Sequence, residues 1–399
     1  MPESCGSYNE KRKLQWKNHR HSRQDGKDSD IMETLNEQEI RTRLGLVIKR
    51  LMHLGDSVDE SKFSNVSKEN MKFVKRDAGI MTWDWPQGVG LYGLDNMMRF
   101  DGNDDYRKFL LDWYAGNMEK GLPPRNINTT APLLTLTDFT DQNPEYAELC
   151  REWADWLISS HPKTEEGGFQ HVTSGGLNEQ QLWMDTLFMA VLFLNKMGQK
   201  YKNRVWIDES VHQFLMHIKY LCDNRTGLFY HGWTFIGRNN FGGIFWCRGN
   251  SWFTVGAPDY LETAGDSIDA GTRKFIEDAY RAQVKALCAL QGEDGLWHTV
   301  LTDAGSYEEA SGSAAIAAGI FKGIRTGILD ASCGECAGRA VRALLSCIRE
   351  DGTVEKVSAG TGMGMNEQFY KDIAIMPMAY GQSLTMLALI EALRYLAAR

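Results

Sequence analysis

The chain has 399 residues, of which 43% are hydrophobic and 24% charged, and its net charge is −8. This allows a large core in roughly one to three domains, while an acidic chain of pI near 5.7 argues against nucleic acid as a partner, because phosphate binding needs a basic surface. No run reaches the ~18 consecutive apolar residues of a transmembrane helix, so no membrane partner is expected.

Residues 1–34 begin with "MPESCGSYNEKRKLQWKNHRHSRQDGKDSD", which has no apolar run and resembles no secretory leader. They are expected to form a flexible polar arm. From 35 to 399 helical periodicity runs almost throughout, as expected for one domain. The spacing predicts helices over 35–54, 86–101, 104–119, 129–141, 144–160, 178–197, 202–222, 249–264, 270–290, 307–325, 335–349 and 378–397. Gly55, Gly102, Gly121, Pro162, Gly198 and Gly265 punctuate their ends.

These helices are of two kinds. "YGQSLTMLALIEAL" and "ASGSAAIAAGIFKGI" are small and apolar all round, as an inner ring requires. "GTRKFIEDAYRAQVKAL" and "PEYAELCREWADWLI" are amphipathic, as suits an outer ring with one wet face. The links after the charged helices also repeat: "EEGGFQHV", "RTGLFYHGW", "EDGLWHTV" and "EDGTVEKV". Their glycines Gly168, Gly227, Gly295 and Gly352 recur at a period of about 60 residues, the mark of a repeat architecture. Six hairpins of this size span the chain from residue 35. Neither end carries a polar capping repeat, so an all-α (α/α)6 barrel is expected rather than an open solenoid.

Eight cysteines are scattered along the chain. The length and the missing leader point to reduced thiols and a cytoplasmic location. Cys333 and Cys336 form "CGEC" with no second Cys pair or His-x-x-His nearby, so they read as ordinary helix residues rather than a zinc or redox centre.

Polar and aromatic residues gather where inner helices begin. The links contribute His171, Tyr230, His231, Trp233, Trp297 and His298. "TWDWPQGVGLYGL" adds Trp83, Asp84, Trp85 and Gln87; "NINTTAPLLTL" adds Asn128, Thr129 and Thr130; "IFWCRGNSWFTVG" adds Trp246, Arg248, Asn250 and Trp252. Helix N-termini facing a shared cavity favour an anionic ligand. Tryptophan faces and convergent polar groups suit a sugar, and Arg248 could grip a ligand carboxylate. It has no acid beside it in the sequence. Asn128 also fits a helix N-cap. His171 and His231 occupy matching places in two links, yet the chain has no HExxH and no acids at ligand spacing, so no metal and no cofactor are expected. In "QQLWMDTLFMAVLFL" a single carboxyl, Asp185, sits in what reads as a buried helix. Such a group must be paired, protonated or functional.

"QLWMDTLFMA", "GLFYHGW", "FWCRGNSW", "EEASGSA" and "SAGTGMG" resemble the signatures of glycoside hydrolase family 105, the unsaturated rhamnogalacturonyl and related uronyl hydrolases, akin to family 88. The resemblance runs from about residue 40 to residue 397, in order. It implies an (α/α)6 barrel and a short oligosaccharide substrate, a disaccharide above all, ending in a 4,5-unsaturated uronic acid. The chemistry it implies is hydration of that vinyl ether: an acid protonates C4, water adds at C5, and the hemiketal opens. Asp185 takes the place of the catalytic acid; burial beside Trp183 and Met184 would raise its pKa, the nearby helix N-terminus opposes this, and the balance is open. His171, His231, Arg248 and Trp252 match residues that contact the unsaturated sugar. Trp246 matches its aromatic wall and Trp85 the pocket lining, while Ser358–Gly364 matches a loop at the rim. Asn128 stands where rhamnogalacturonyl members carry a second aspartate, which leaves a two-carboxylate mechanism and the aglycone sugar open. A histidine-based sugar epimerase, a glycosidase pairing Asp84 with Asp185, and a non-catalytic sugar-binding module remain as rivals, and the oligomeric state is open.

Overall fold

A computed structural model describes residues 35–55, 59–63 and 68–398. The polar arm expected at 1–34 lies outside them. Fifteen α-helices are present among the described residues: α1 (Glu37–Met52), α2 (Lys68–Ala78), α3 (Trp85–Asp101), α4 (Asp104–Lys120), α5 (Ile127–Thr130), α6 (Leu133–Leu136), α7 (Pro144–Ser159), α8 (Leu192–Tyr201), α9 (Arg204–Leu221), α10 (Cys247–Ala264), α11 (Ala270–Leu290), α12 (Ala310–Arg325), α13 (Gly334–Ser346), α14 (Glu367–Lys371) and α15 (Ala379–Ala397). Two antiparallel strand pairs join loops: β1 (Gln181–Trp183) with β2 (Gly232–Thr234), and β3 (Trp297–His298) with β4 (Glu308–Glu309).

The helices close an (α/α)6 barrel. The inner ring runs α3, α5 with α6, α8, α10, α12 and α15, and α15 packs back on α3. Outer helices α4, α7, α9, α11 and α13 pack against it, and α1 closes the circle on α15. The inner helices are the apolar ones: every residue of α10 except Glu262 and Thr263 is buried, and α15 is buried from Ala379 to Leu393. Outer helices start on polar caps that satisfy the first free amides. Asn36, Asn103, Asn143, Asn203 and Asp269 serve α1, α4, α7, α9 and α11 in turn.

The repeated links are built alike. The left-handed glycines are Gly227, Gly295 and Gly352, but in the first link the position falls on Gly167 rather than Gly168. Two residues further on, the amides of Phe169, Phe229, Trp297 and Val354 donate to side chains of Gln213, Asn250, Ser313 and Gln382 at 2.6–2.8 Å. A Cβ on Gly227 would lie 2.7 Å from the Ala282 carbonyl of α11, and one on Gly295 2.6 Å from the Arg339 carbonyl of α13. Gly352 presses in the same way on Leu46 of α1, so the last link meets the first helix. Ring closure is thus written into the final repeat.

Two predicted elements come out differently, and two unpredicted helices appear. The stretch 129–141 is not one helix but α5, α6 and a 3-10 turn at Thr137–Phe139. Pro132 lacks an amide hydrogen, and α3 presses on the break: a Cβ on Gly88 would lie 2.7 Å from Ala131 and Pro132 backbone atoms. The stretch 178–197 starts with left-handed Asn178 and Gln180 and strand β1, and becomes helical only near Asp185, through a π turn at Leu187–Val191. Its apolar run reads as helix in isolation, whereas pairing with β2 takes the first part as strand. Helices α2 and α14 are short, and the periodicity does not reveal them.

Candidate active site

The ends of α3, α10, α12 and α15 that carry free amides meet at one mouth of the barrel, and the side chains there form a closed circuit. Trp252 Nε1, on the second turn of α10, donates to Asp185 Oδ1 at 2.9 Å. The Trp252 ring meets the edge of Trp85, the first residue of α3, at 6.1 Å. Trp85 stacks on Tyr380 at 4.6 Å, and the Arg248 guanidinium lies over the Tyr380 and Trp246 rings at 4.9 and 4.5 Å. Trp246 packs on His231 at 4.5 Å. His231 Nε2 returns to Asp185 Oδ2 at 3.3 Å. Six of the sequence-predicted residues, Asp185, Trp252, Trp85, Arg248, Trp246 and His231, therefore share one surface.

Three buried polar atoms on this circuit make no hydrogen bond: Asp185 Oδ2, His231 Nε2 and Trp246 Nε1. The 3.3 Å separation of the first two is close enough for charge attraction but is not aligned as a hydrogen bond. Native interiors leave few such atoms. A cluster of three on one wall suits a ligand that brings oxygens to them.

The Asp185 side chain is 17% exposed, against 2% for His231, so it borders the mouth instead of lying sealed in the core. Burial pushes its carboxyl up, but the contact with His231 and the His231 charge pull it below the ordinary carboxylate value. In the free protein the balance therefore falls against burial. Trp183 stacks on His171 at 4.4 Å, and the indole on the carboxylate is that of Trp252.

His171 joins the site through Trp183, which also packs on His231 at 5.4 Å. Its Nδ1 pairs with Thr186 Oγ1 at 2.8 Å, and burial lowers its pKa to about 3. The ring is neutral and fixed. Asn128 sits half-buried on α5, outside the circuit. It is not the helix cap. Asn126 caps α5 in a reciprocal box with Thr129, leaving the Asn128 amide free to meet a ligand.

Arg248 is fully buried and committed to the protein. Its Nη1 donates to the Ser358 carbonyl at 2.9 Å and to the Ser358 hydroxyl, and Nη2 donates to the Ala359 carbonyl at 2.8 Å. Glu309, absent from its sequence neighbourhood, lies 3.8 Å away. Glu309 also caps α12 and accepts the Ser358 amide at 2.9 Å. The guanidinium thus anchors the glycine-rich rim segment, in place of the open bidentate grip expected for a ligand carboxylate.

Several candidates prove structural. Trp83 and Trp297 bond backbone carbonyls of Thr129 and Leu287 at 2.8 Å each. His298 Nδ1 is 2.6 Å from the Ser306 carbonyl oxygen, and Gln87 donates to the Gly79 carbonyl at 2.6 Å. Trp233 packs on Tyr220, and Tyr230 stacks on Phe245. Asp84 caps α3, accepts from Ser174 at 3.2 Å and pairs with Arg76 at 3.2 Å, so as a carboxylate it is already occupied. Beside it Asp77, on the unpredicted α2, is pushed up to about 7, chiefly by burial. Sequence reasoning also missed Tyr370. Its hydroxyl lies 2.8 Å from His231 Nδ1, accepts the Gly364 amide at 3.1 Å and reaches Met363 Sδ at 3.7 Å. Nothing in the short helix α14 singles out that tyrosine before the fold brings it to His231.

Barrel and mouth together define a glycoside hydrolase. Residues 57–396 match the Glycosyl Hydrolase Family 88 domain, and the chain belongs to that family. It is 32% identical over 343 residues to the unsaturated rhamnogalacturonyl hydrolase YesR of Bacillus subtilis (strain 168), covering 84% of this chain and 96% of that protein. It is also similar to the crystal structure of a possible member of the GH105 family from Salmonella enterica serovar Paratyphi A, with a TM-score of 0.85, 35% identity, and coverage of 91% of this chain and 96% of that one. The fold is shared with the unsaturated glucuronyl hydrolase of Bacillus sp. GL1, at a TM-score of 0.66 and 17% identity over 89% and 96% of the two chains. Among the described residues no helix is long and apolar enough to cross a membrane.

Proposed function

We propose that this enzyme removes the terminal 4,5-unsaturated uronic acid from short oligosaccharides left by polysaccharide lyases, with Asp185 as acid and then base. The observation that carries the reading is the Asp185–His231 pair at the mouth, two buried polar atoms 3.3 Å apart with no hydrogen bond. The likeness to YesR supports a rhamnogalacturonyl-type substrate, and the reading extends to a disaccharide acted on in the cytoplasm.

In the free protein the carboxyl lies below its ordinary value, so the proton for C4 has to be favoured on Asp185 when substrate binds. A sugar covering the mouth excludes water, which strengthens the burial effect already pushing the carboxyl up. The negative charge of the uronate acts in the same direction. Asp185 then protonates C4, and positive charge spreads over C5 and the ring oxygen. The carboxylate, steadied by Trp252 Nε1, takes a proton from water as it adds to C5. The resulting hemiketal opens, releasing the aglycone and a 4-deoxy-5-keto uronate. On this reading Trp85, Trp246 and Trp252 wall the sugar, His171 and His231 meet its hydroxyls, and Asn128 holds water or the ring. Arg248 serves this reading by fixing the rim.

The test is a panel of lyase-generated disaccharides beside their saturated counterparts, followed by ultraviolet absorbance of the alkene. Loss of absorbance from unsaturated substrates alone is expected, and Asp185→Asn should lower the rate by at least about a hundredfold, the usual reach of general acid–base catalysis. Equal cleavage of saturated substrates would sink the hydration mechanism in favour of a conventional glycosidase.

A further inference from the structure

Away from the mouth, α11 and α13 line a pocket of about 610 Å³. It gathers three of the chain's cysteines: Cys288 from α11, and Cys333 with Cys336 from the start of α13, beside Arg281, Lys285 and Arg339. All three thiols are free and half-buried, within reach of a small solute. The helical spacing of "CGEC" turns Cys333 and Cys336 to the same side of α13, and Cys288 meets them from the neighbouring helix. The Cys288 and Cys336 side chains interact directly with each other across the pocket. The backbone around them is held: Gln291 Nε2 donates to the Cys336 carbonyl at 2.9 Å, and Arg339 Nη2 to the Gly292 carbonyl at 2.8 Å.

The two thiols are not equivalent. The contact with Cys336 holds the Cys288 thiol below its ordinary value against the cost of burial, and the Arg339 charge adds to the effect. Cys150, Cys222, Cys247, Cys333, Cys336 and Cys347 are all displaced upward. The thiolate is the nucleophilic form of cysteine, so the chemistry of the pocket starts at Cys288. Among the described residues no group of three or more His, Cys, Asp or Glu side chains is arranged to hold a metal ion.

We propose that Cys288 and Cys336 form a reversible disulfide with small hydroperoxides, tying α11 to α13 across this pocket. The Cys288 thiolate attacks one peroxide oxygen and the O–O bond breaks, giving a sulfenic acid and a hydroxide that leaves as water on protonation. The Cys336 sulfur then attacks the Cys288 sulfur, the S–O bond breaks, and the thiol proton leaves with the hydroxyl as a second water. Two thiols lose two electrons and two protons, and one hydroperoxide is reduced. A dithiol reductant reverses the step. The bridge encloses the whole of α12 in a covalent loop and restricts the unfolded chain.

The experiment treats the reduced full-length protein with one equivalent of hydrogen peroxide, then maps peptides without reduction. The expected product joins the peptides of residues 288 and 336, lacks two hydrogens, reverts with dithiothreitol and melts a few degrees higher. Cys333→Ser should still form it. Cys336→Ser should not, and should instead leave a sulfenic acid at Cys288 that dimedone traps. Under limiting iodoacetamide Cys288 should react at least about fivefold faster than any other described cysteine, following its thiolate fraction. Circular dichroism confirms that each variant folds. Oxidation falling first on other cysteines, or a bridge that forms equally in Cys336→Ser, overturns the proposal.

Discussion

A histidine between a tyrosine and a carboxylate has its tautomer set by whichever partner donates. Tyr370 accepts the Gly364 amide and is raised by burial well out of the titrating range, so its one proton goes either to His231 Nδ1 or to Met363 Sδ. When it goes to Nδ1, the neutral ring presents an N–H to Asp185. When His231 carries both protons, the hydroxyl turns to the sulfur. Tyr370→Phe removes this control while keeping the ring that packs on Trp246. It should lower kcat by about tenfold, the scale of a lost hydrogen bond to a charged group, with a smaller change in KM and a displaced acid limb in the pH–rate profile. An unchanged profile would assign the hydroxyl to the rim segment alone. Asp77 offers a second residue-scale test. Its folded pKa of about 7 lies above the unfolded value of 3.8, so its contribution to stability is present below the unfolded value and is lost as pH rises through about 7. Relative to Asp77→Asn, the parent should lose stability between pH ~4 and ~7, up to about 1.4 kcal/mol per pH unit. Thermal midpoints of the pair across that range check the sign.

Among the elements, α10 and α12 approach so closely that only glycine fits where they touch. A Cβ on Gly319 would overlap the Thr254 carbonyl, and one on Gly312 would lie 2.6 Å from Cys247 Sγ. The first obstacle is backbone and cannot rotate away. Gly319→Ala should cost about 3 kcal/mol by overpacking, read as a lower urea midpoint. The intimacy also serves the site, because α10 carries Trp246 as its cap, Arg248 and Trp252, while α12 begins at Glu309. The π turn after Asp185 belongs to the same scale. It widens the start of an inner helix where the chain leaves strand β1, and π turns recur where a side chain must be re-aimed. An apolar run cannot announce such a turn, because the same side chains would satisfy a plain helix.

At the scale of the molecule, the barrel is open to chemistry at one end and tied by charge toward the other. Lys322 of α12 pairs with Asp259 of α10 and reaches Glu262 at 2.9 Å. Arg325 bridges Glu262 and Glu391 at 3.1 Å each, and Arg394 meets Glu391 at 2.5 Å. Tyr92 of α3 donates to Asp259. Four inner helices are thereby joined near their C-terminal halves. Burial lowers the Lys322 pKa to about 7, so its charge depends on these partners. Asp259→Ala should cost about 3–5 kcal/mol by stranding a buried cation, measured by urea denaturation, and adding Lys322→Met should recover most of it. Equal losses in the single and double variants would show that packing, not charge, holds this region.

The sequence by itself determined the barrel and the identity of most mouth residues. Inner and outer helices differ in composition because one kind must be buried all round, and the links repeat because each must cap an outer helix and deliver a chain to the mouth. Asp185, Trp252 and Arg248 were legible as polar or aromatic groups placed against the local pattern. What they do to one another was decided only by tertiary structure. Arg248 finds its acid 61 positions away, His231 finds Tyr370 139 positions away, and Asp185 falls below its ordinary pKa because the contact with His231 outweighs its burial. Proton affinity and hydrogen-bond partnership depend on distances of a few ångströms between segments far apart in the chain. Local periodicity carries no record of them.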